Sequence, residues 1–85
     1  QNYPNPFNSY TEIRFGLPET AEVKLTVVDI TGREISRLTT GNFEPGQHQV
    51  TWNADGYASG VYFYTFEATG LNFSYSFTRK MVLIR

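Results

Sequence analysis

Apolar and polar residues alternate along most of the chain, which is the pattern of half-buried β-strands. The alternation predicts strands at residues 11–16, 22–29, 47–52 and 61–68, and one long strand from residue 73 to the end of the printed sequence. No segment repeats its apolar residues every ~3.6 positions, so helices are not expected. The apolar faces of these strands predict a core that contains Phe15, Val23, Leu25, Val27, Val50, Trp52, Tyr62, Tyr64 and Phe66.

Turn signals separate the predicted strands. Residues 29–32 (Asp-Ile-Thr-Gly) have the pattern of a type I turn followed by a left-handed glycine, which predicts a hairpin. The hairpin leads into a third strand at residues 34–39, and we expect it to be short, bulged or irregular because Ile35 and Leu38 break the period of two. A Pro-Gly pair signals a type II turn, and a loop rich in Gly, Asn and Asp follows the fourth strand. The structural turn residues are therefore Gly32, Pro45, Gly46 and Gly60.

The spacing of the strands predicts the fold class. Short strands that recur every ~8–12 residues are typical of sandwiches and barrels, so we expect two antiparallel sheets packed face to face. The count is about seven strands if the last strand kinks near Thr78 or if the opening segment pairs. Pro4 and Pro6 favour an extended lead-in or linker at residues 1–10, followed by the domain at residues 11–85. Because the sequence begins at Gln1 rather than Met, we expect a piece of a longer protein.

Composition and charge exclude several classes of function. Of the 85 residues, 40% are hydrophobic and 16% aromatic, so the chain has enough apolar surface to fold. Its seven cations and eight anions give a net charge of −1, which offers no field to attract nucleic acid or anionic lipid. No apolar run approaches the ~20 residues of a membrane-spanning helix. With no cysteine, disulfides and thiolate metal sites are excluded.

The residues that could carry catalysis are few and scattered. A Ser-His-Asp triad would need His48 beside Asp29 or Asp55, and the apolar face that carries His48 favours a packed imidazole instead. Residues 53–56 resemble the start of a calcium loop but lack the later bidentate acid, so an Asx turn explains them better. The sequence therefore predicts no enzyme, no catalytic or metal-binding residue and no cofactor.

Three functions stay open on the residues alone. Tyr3, Tyr10, Tyr57 and Tyr75 are candidate surface aromatics that could stack on sugar rings, as in a carbohydrate-binding accessory module. The apolar end of the last strand is a central strand covered on both faces, a docking segment that a receptor reads by edge pairing and flanking cations, or both. A passive spacer domain is the third possibility.

An ordered set of motifs spans essentially the whole chain. It comprises residues 2–8 (Asn-Tyr-Pro-Asn-Pro-Phe-Asn), 13–18, 23–29, 32–34, 45–48, 52–53, 58–64 and 78–85 (Thr-Arg-Lys-Met-Val-Leu-Ile-Arg). In these stretches the chain resembles the C-terminal sorting domains of type IX secretion cargo proteins, type A. Those domains are similar in turn to the immunoglobulin-like domain of flagellar hook-capping proteins. The chain departs from the family pattern in having Ser9 and Tyr10 where Pro is usual, and in an unusually aromatic segment at residues 71–77.

The resemblance implies an immunoglobulin-like β-sandwich that acts as the secretion and surface-attachment signal of a larger exported bacterial protein. Such a cargo passes through the periplasm, crosses the outer membrane through the type IX translocon, and is secreted or displayed on the outer cell surface. The implied partners are the secretion machinery and a sortase-like surface peptidase that cuts near the amino-terminal boundary, around residues 1–8. The residues implied in translocon recognition are Arg79, Lys80, Met81, Val82, Leu83, Ile84 and Arg85.

Overall fold

The fold is known from a computed structural model that describes residues 2–84. Within that range the chain forms seven β-strands and no helix. The strands are β1 Asn2–Tyr3, β2 Tyr10–Leu17, β3 Ala21–Val28, β4 Glu34–Phe43, β5 Gly46–Asn53, β6 Gly60–Gly70 and β7 Ser74–Leu83.

The seven strands form two sheets that pack face to face. The smaller sheet has the order β1-β2-β5 and the larger has the order β4-β3-β6-β7. Neighbouring strands in both sheets are antiparallel. The ring centroids of Phe15 in β2 and Phe66 in β6 lie 4.8 Å apart, so side chains from the two sheets meet in one interior. The predicted antiparallel β-sandwich of about seven strands is confirmed.

The core follows from the alternation within each strand. In β2 and β3 every second side chain points into the sandwich, and the register between β3 and β6 sets Leu25 opposite Phe66 and Val27 opposite Tyr64. Val50 of β5 is half-buried and packs against this interior. The buried hydrophobic residues are Phe7, Ile13, Phe15, Leu17, Ala21, Val23, Leu25, Val27, Trp52, Ala54, Tyr62, Tyr64, Phe66, Ala68, Met81 and Leu83.

An aromatic cluster closes one end of the core. The Trp52 side chain is 2% exposed, and its ring centroid lies 5.7 Å from that of Phe7 and 5.5 Å from those of Tyr57 and Tyr62. The Tyr62 hydroxyl donates to the Ala58 carbonyl at 2.6 Å, which satisfies the polar end of a ring that is otherwise in the core. Phe7 therefore belongs to the same packed cluster as the only tryptophan of the chain.

Strand β4 is longer than its sequence pattern suggests. The prediction of a short strand at residues 34–39 is wrong, because β4 pairs with β3 along the full length of β3. The prediction of an irregular strand is confirmed by two register shifts in that pairing, one at Leu38 and one at Ile35, which have no partner in β3. At each shift β4 contains one extra residue, which forms a β-bulge. The side chains of both extra residues pack against the core. Two bulges three positions apart thus explain the broken period of two.

The turn after β3 is stabilised by its first side chain. The Asp29 carboxylate accepts hydrogen bonds from the backbone N–H groups of Thr31 at 2.9 Å and Arg33 at 3.1 Å. The Thr31 hydroxyl also donates to it, and this bond is the main reason that the pKa of Asp29 lies below its ordinary value of 3.8. Gly32 has φ of +88°, a left-handed conformation that residues with a Cβ avoid. In the turn between β4 and β5, Gly46 follows Pro45 with φ of +116°.

Candidate functional site

The carboxyl-end segment of the chain is anchored in the core. We call residues 79–84 the terminal segment; it comprises the predicted recognition residues that the structure describes, and Arg85 lies outside the described residues. Met81 and Leu83 point into the sandwich and are 0% and 1% exposed. Their burial fixes the position of the segment, because neither side chain can leave without opening the core.

The other side chains of the terminal segment face outward. Lys80 and Ile84 are exposed and Val82 is half-buried, on the face of β7 opposite to Met81. Arg79 lies on the inner face, where its guanidinium carbon sits 4.7 Å from the centroid of the Phe77 ring. This distance is within the range of a cation–π contact. A partner could therefore contact cationic and apolar groups of the segment without disturbing the core.

A short stretch of the amino-terminal lead-in runs beside the terminal segment. We call residues 5–7 the strap. The Phe7 N–H donates to the Val82 carbonyl at 3.0 Å, and the Phe7 carbonyl accepts from the Ile84 N–H at 2.8 Å. The Asn5 side chain accepts from the Val82 N–H at 3.0 Å and donates to the Lys80 carbonyl at 3.2 Å. The strap thus forms a short parallel bridge to β7, joining the two ends of the described chain.

The residues ahead of the strap are also bound to the sandwich. Asn2 is 3% exposed, and its side-chain amide donates to the Thr11 hydroxyl at 3.1 Å and to the Pro4 carbonyl at 3.2 Å. Asn2 and Tyr3 pair with β2 as strand β1. The predicted boundary after residue 10 thus falls just inside strand β2, and strand β1 together with the buried Phe7 lies on its amino-terminal side.

The interpretation of the terminal run as a central strand of its sheet is wrong. The central strands of the larger sheet are β3 and β6, and β7 is its edge strand. The run is apolar on both faces for two different reasons. Met81 and Leu83 fill the core, whereas Val82 lies beside the strap on the other face and Ile84 is 51% exposed.

Tyr64 carries an unusual buried hydroxyl beside the terminal segment. Its side chain is 0% exposed, and the hydroxyl oxygen has no hydrogen-bond partner among residues 2–84. Desolvation raises the pKa of Tyr64 above its ordinary value of 10.0, and the nearby Arg79 cation partly opposes that effect. The tyrosine sits directly opposite Arg79 in the pairing of β6 with β7.

The candidate catalytic residues are not brought together. His48 is half-buried between the rings of Phe15 and Phe43, at centroid distances of 5.4 and 5.1 Å, and its Nε2 atom lies 2.7 Å from the Glu44 carbonyl oxygen. The loop after β5 contains an Asx turn, in which the Asn53 side chain accepts from the Asp55 N–H at 3.0 Å. Across residues 2–84, no group of His, Asp and Glu side chains is arranged to hold a metal ion. The same range contains no helix with the length and apolar character needed to span a membrane.

The candidate surface aromatics are divided between the two sheets. Tyr3 and Tyr10 are 76% and 53% exposed on the outer face of the smaller sheet, and Tyr75 is 54% exposed in the larger sheet. Tyr57 is half-buried, and its hydroxyl donates to the Ile35 carbonyl at 3.1 Å. The four residues therefore do not form one continuous platform.

Fold and site together define a small β-sandwich module whose terminal strand lies at a sheet edge and is braced by the amino-terminal residues. The chain belongs to the secretion system C-terminal sorting domain family, whose sequence pattern it matches over residues 1–83. This is the type IX secretion family that the sequence resembles. No curated protein and no solved structure matches the chain.

Membership of this family establishes the general class of function. The family comprises sorting signals of type IX secretion cargo and not catalytic domains. It implies a role with the secretion machinery and export of the protein that carries the domain to the cell surface or the medium.

Sequence reasoning missed the strap. Its signal is one apolar residue, Phe7, in a segment otherwise made of Asn, Pro and Tyr. The only phenylalanine in the lead-in indicates an anchor, but nothing local shows what it packs against.

Proposed function

We propose that this chain is the carboxyl-terminal sorting and surface-attachment signal of a larger exported protein, and that the type IX translocon recognises its terminal segment. The domain itself performs no catalysis. The supporting observation is the braced terminal segment, which is held between the core and the strap while Lys80 and Ile84 stay exposed. Because the segment is ordered before it meets a receptor, binding does not have to order it, and that reduces the entropic cost of recognition.

Recognition of the terminal segment uses side chains more than backbone groups. The Lys80 carbonyl, both backbone groups of Val82 and the Ile84 N–H already bond to the strap, so a receptor cannot pair with them while the strap is in place. Lys80, Val82 and Ile84 remain available on the outer face, and Arg79 is exposed on the inner face. In the sequence, Arg85 adds a third cation after Arg79 and Lys80. We assign the specificity of the signal to this combination of cations and apolar groups.

The rest of the route follows from family membership as part of the same proposal. The cargo passes through the periplasm before the translocon moves it across the outer membrane, and a sortase-like peptidase then detaches the domain and attaches the cargo to the surface. Since Asn2 and Phe7 are buried and hydrogen-bonded, the stretch between them is a poor substrate while it is folded. We therefore place the accessible cleavage site on the amino-terminal side of Asn2.

The test is export of a reporter fused to residues 1–85, in a host that carries the type IX machinery. Removal of residues 80–85 should stop export, but it also removes Met81 and Leu83 from the core, so the loss alone would not separate recognition from folding. Lys80→Glu is the sharper variant because the lysine is exposed. Lys24→Glu is the matched control: it changes the same charge on an exposed residue of β3 in the same sheet.

We expect Lys80→Glu to lower the exported fraction by about tenfold and Lys24→Glu to leave it within about twofold. Thermal unfolding of the purified domains should show both variants folded. If the wild-type fusion is not exported, the sorting function is refuted. If both variants are exported normally, recognition does not depend on the charge of Lys80.

One observation favours the carbohydrate-binding alternative. Tyr3 is opposite Glu12 in the pairing of β1 with β2, and Tyr10 is two residues before Glu12, so the two exposed rings are diagonal neighbours on one face. Titration with a panel of soluble polysaccharides, followed by tyrosine fluorescence, tests this alternative. Quenching in the wild type that is lost in a Tyr3→Ala, Tyr10→Ala double variant supports sugar binding, and no response to any polysaccharide refutes it.

A further inference from the structure

The outer edge of β7 exposes backbone groups at every second residue. β7 pairs with β6 on one side without a register shift, and no strand follows it in the sheet. Both backbone groups of Val82 point away from β6, since its N–H and carbonyl bond to the strap. In an antiparallel pair the direction alternates along the strand. The outward-pointing residues of β7 are therefore Ser74, Ser76, Thr78, Lys80 and Val82.

The strap covers only the carboxyl-end half of this edge. Its bonds to β7 involve the backbone of Lys80, Val82 and Ile84. In the described part of the chain, no strand pairs with the outward groups of residues 74–78, which we call the open edge. The strap shows that β7 accepts an extended segment along its outer edge. The open edge lies on the same side of β7, next to the strap and closer to the amino-terminal end of the strand.

The open edge lacks the features that usually protect a sheet edge. Its sequence, Ser-Tyr-Ser-Phe-Thr, contains no charge, no proline and no glycine, and its strand has no bulge. Proteins normally guard such edges with charges, prolines or bulges, because unpaired strands bind other strands. The opposite edge strand of the same sheet, β4, has two bulges and the charged residues Glu34 and Arg37. The sheet thus protects the edge at β4 and leaves the opposite edge at β7 able to pair.

The side chains on the open edge leave an aromatic surface partly uncovered. Tyr75 and Phe77 lie on the inner face of β7, and their ring centroids are 6.4 and 5.3 Å from that of Phe66 in β6. Tyr75 is nonetheless 54% exposed and Phe77 is only half-buried. One more strand beside β7 would cover both rings and satisfy the open backbone groups at once.

The charge of β7 indicates which charged side chains the added strand should have. β7 carries two cations, Arg79 and Lys80, at the end of the open edge and no acidic residue. The three ion pairs found within residues 2–84 involve neither of them. A pairing strand with carboxylates at this end would complement both cations.

We propose that an extended segment of the secretion machinery adds as a further strand to the open edge at residues 74–78. Its apolar side chains cover Tyr75 and Phe77, and its acidic residues face Arg79 and Lys80. This inference rests on the proposed sorting function and names the way in which the partner binds. The strap limits the added strand to the open edge, because the Lys80 carbonyl and both backbone groups of Val82 are already used.

The test blocks the edge without disturbing the sheet. Ser76→Pro removes an outward N–H, and its missing donor is not used in pairing with β6. Ser76→Ala is the matched control, since it changes the same side chain and keeps the N–H. A second variant, Tyr75→Lys, places a charge where the added strand should pack, and Tyr75→Phe is its control. Circular dichroism and thermal unfolding of each purified domain establish that it is folded.

Export of the reporter fusion to residues 1–85 gives the result. We expect folded Ser76→Pro and Tyr75→Lys to lower the exported fraction by about tenfold, with both controls within about twofold of the wild type. Normal export of folded Ser76→Pro and Tyr75→Lys would overturn strand addition and leave the sorting function intact, whereas failure of the wild-type fusion would refute the sorting function itself.

A second copy of this chain is the competing occupant of the open edge. Light scattering of the purified wild type distinguishes it. A wild-type dimer that Ser76→Pro converts to a monomer without loss of export would also overturn the proposal. A monomeric wild type with export lost in Ser76→Pro supports it.

Discussion

Phe7 is the residue at which the packing of the strap can be measured. Its ring is 3% exposed and meets the Trp52 ring edge-on at a centroid distance of 5.7 Å. Phe7→Ala should therefore lower the free energy of unfolding by about 3–5 kcal/mol, the usual cost of removing a buried phenylalanine together with the cavity left behind. A domain of 85 residues has a total stability of only about 4–13 kcal/mol, so the variant should lose a large fraction of its stability.

Tyr3→Ala is the control for this measurement. It removes an aromatic ring from the same amino-terminal stretch, but that ring is 76% exposed, so the free energy of unfolding should change by no more than about 0.5 kcal/mol. Urea unfolding followed by circular dichroism measures both variants. With a slope of about 1–3 kcal/mol per molar urea, Phe7→Ala should lower the midpoint by at least about 1 M. Equal midpoints for the two variants would show that residues 1–10 are a linker and that Phe7 is not part of the core.

Three further predictions concern stability. Tyr64→Phe should leave the melting temperature unchanged or raise it, because the buried tyrosine hydroxyl has no hydrogen-bond partner in residues 2–84. Because the pKa of Tyr64 is raised, the wild type should also lose stability relative to this variant as pH rises above about 10. Asp29→Ala should be less stable than the wild type at neutral pH, and because the pKa of Asp29 is lowered, the difference in urea midpoint should shrink as pH falls below 3.8. Gly32→Val should cost at least about 1 kcal/mol in urea unfolding because φ is +88°, and a neutral result would contradict the left-handed turn.

Residue alternation determined the fold class of this protein. Ile13 with Phe15, and Val23 with Leu25 and Val27, are buried because side chains two apart share a face of a strand. The turn at residues 29–32 was also readable, since Asp and Gly at its ends act on backbone groups a few positions away. The irregularity of β4 was visible in the spacing of Ile35 and Leu38, although its length was not.

Only the tertiary structure decided where the terminal strand lies and what braces it. An apolar run such as residues 81–84 fits a central strand and an edge strand equally well, because sheet order depends on pairing between distant segments. The strap is the extreme case, since Asn5 and Val82 are 77 positions apart and share no local pattern. Periodicity reports which face of a strand is buried, and only long-range packing determines which edge is left open.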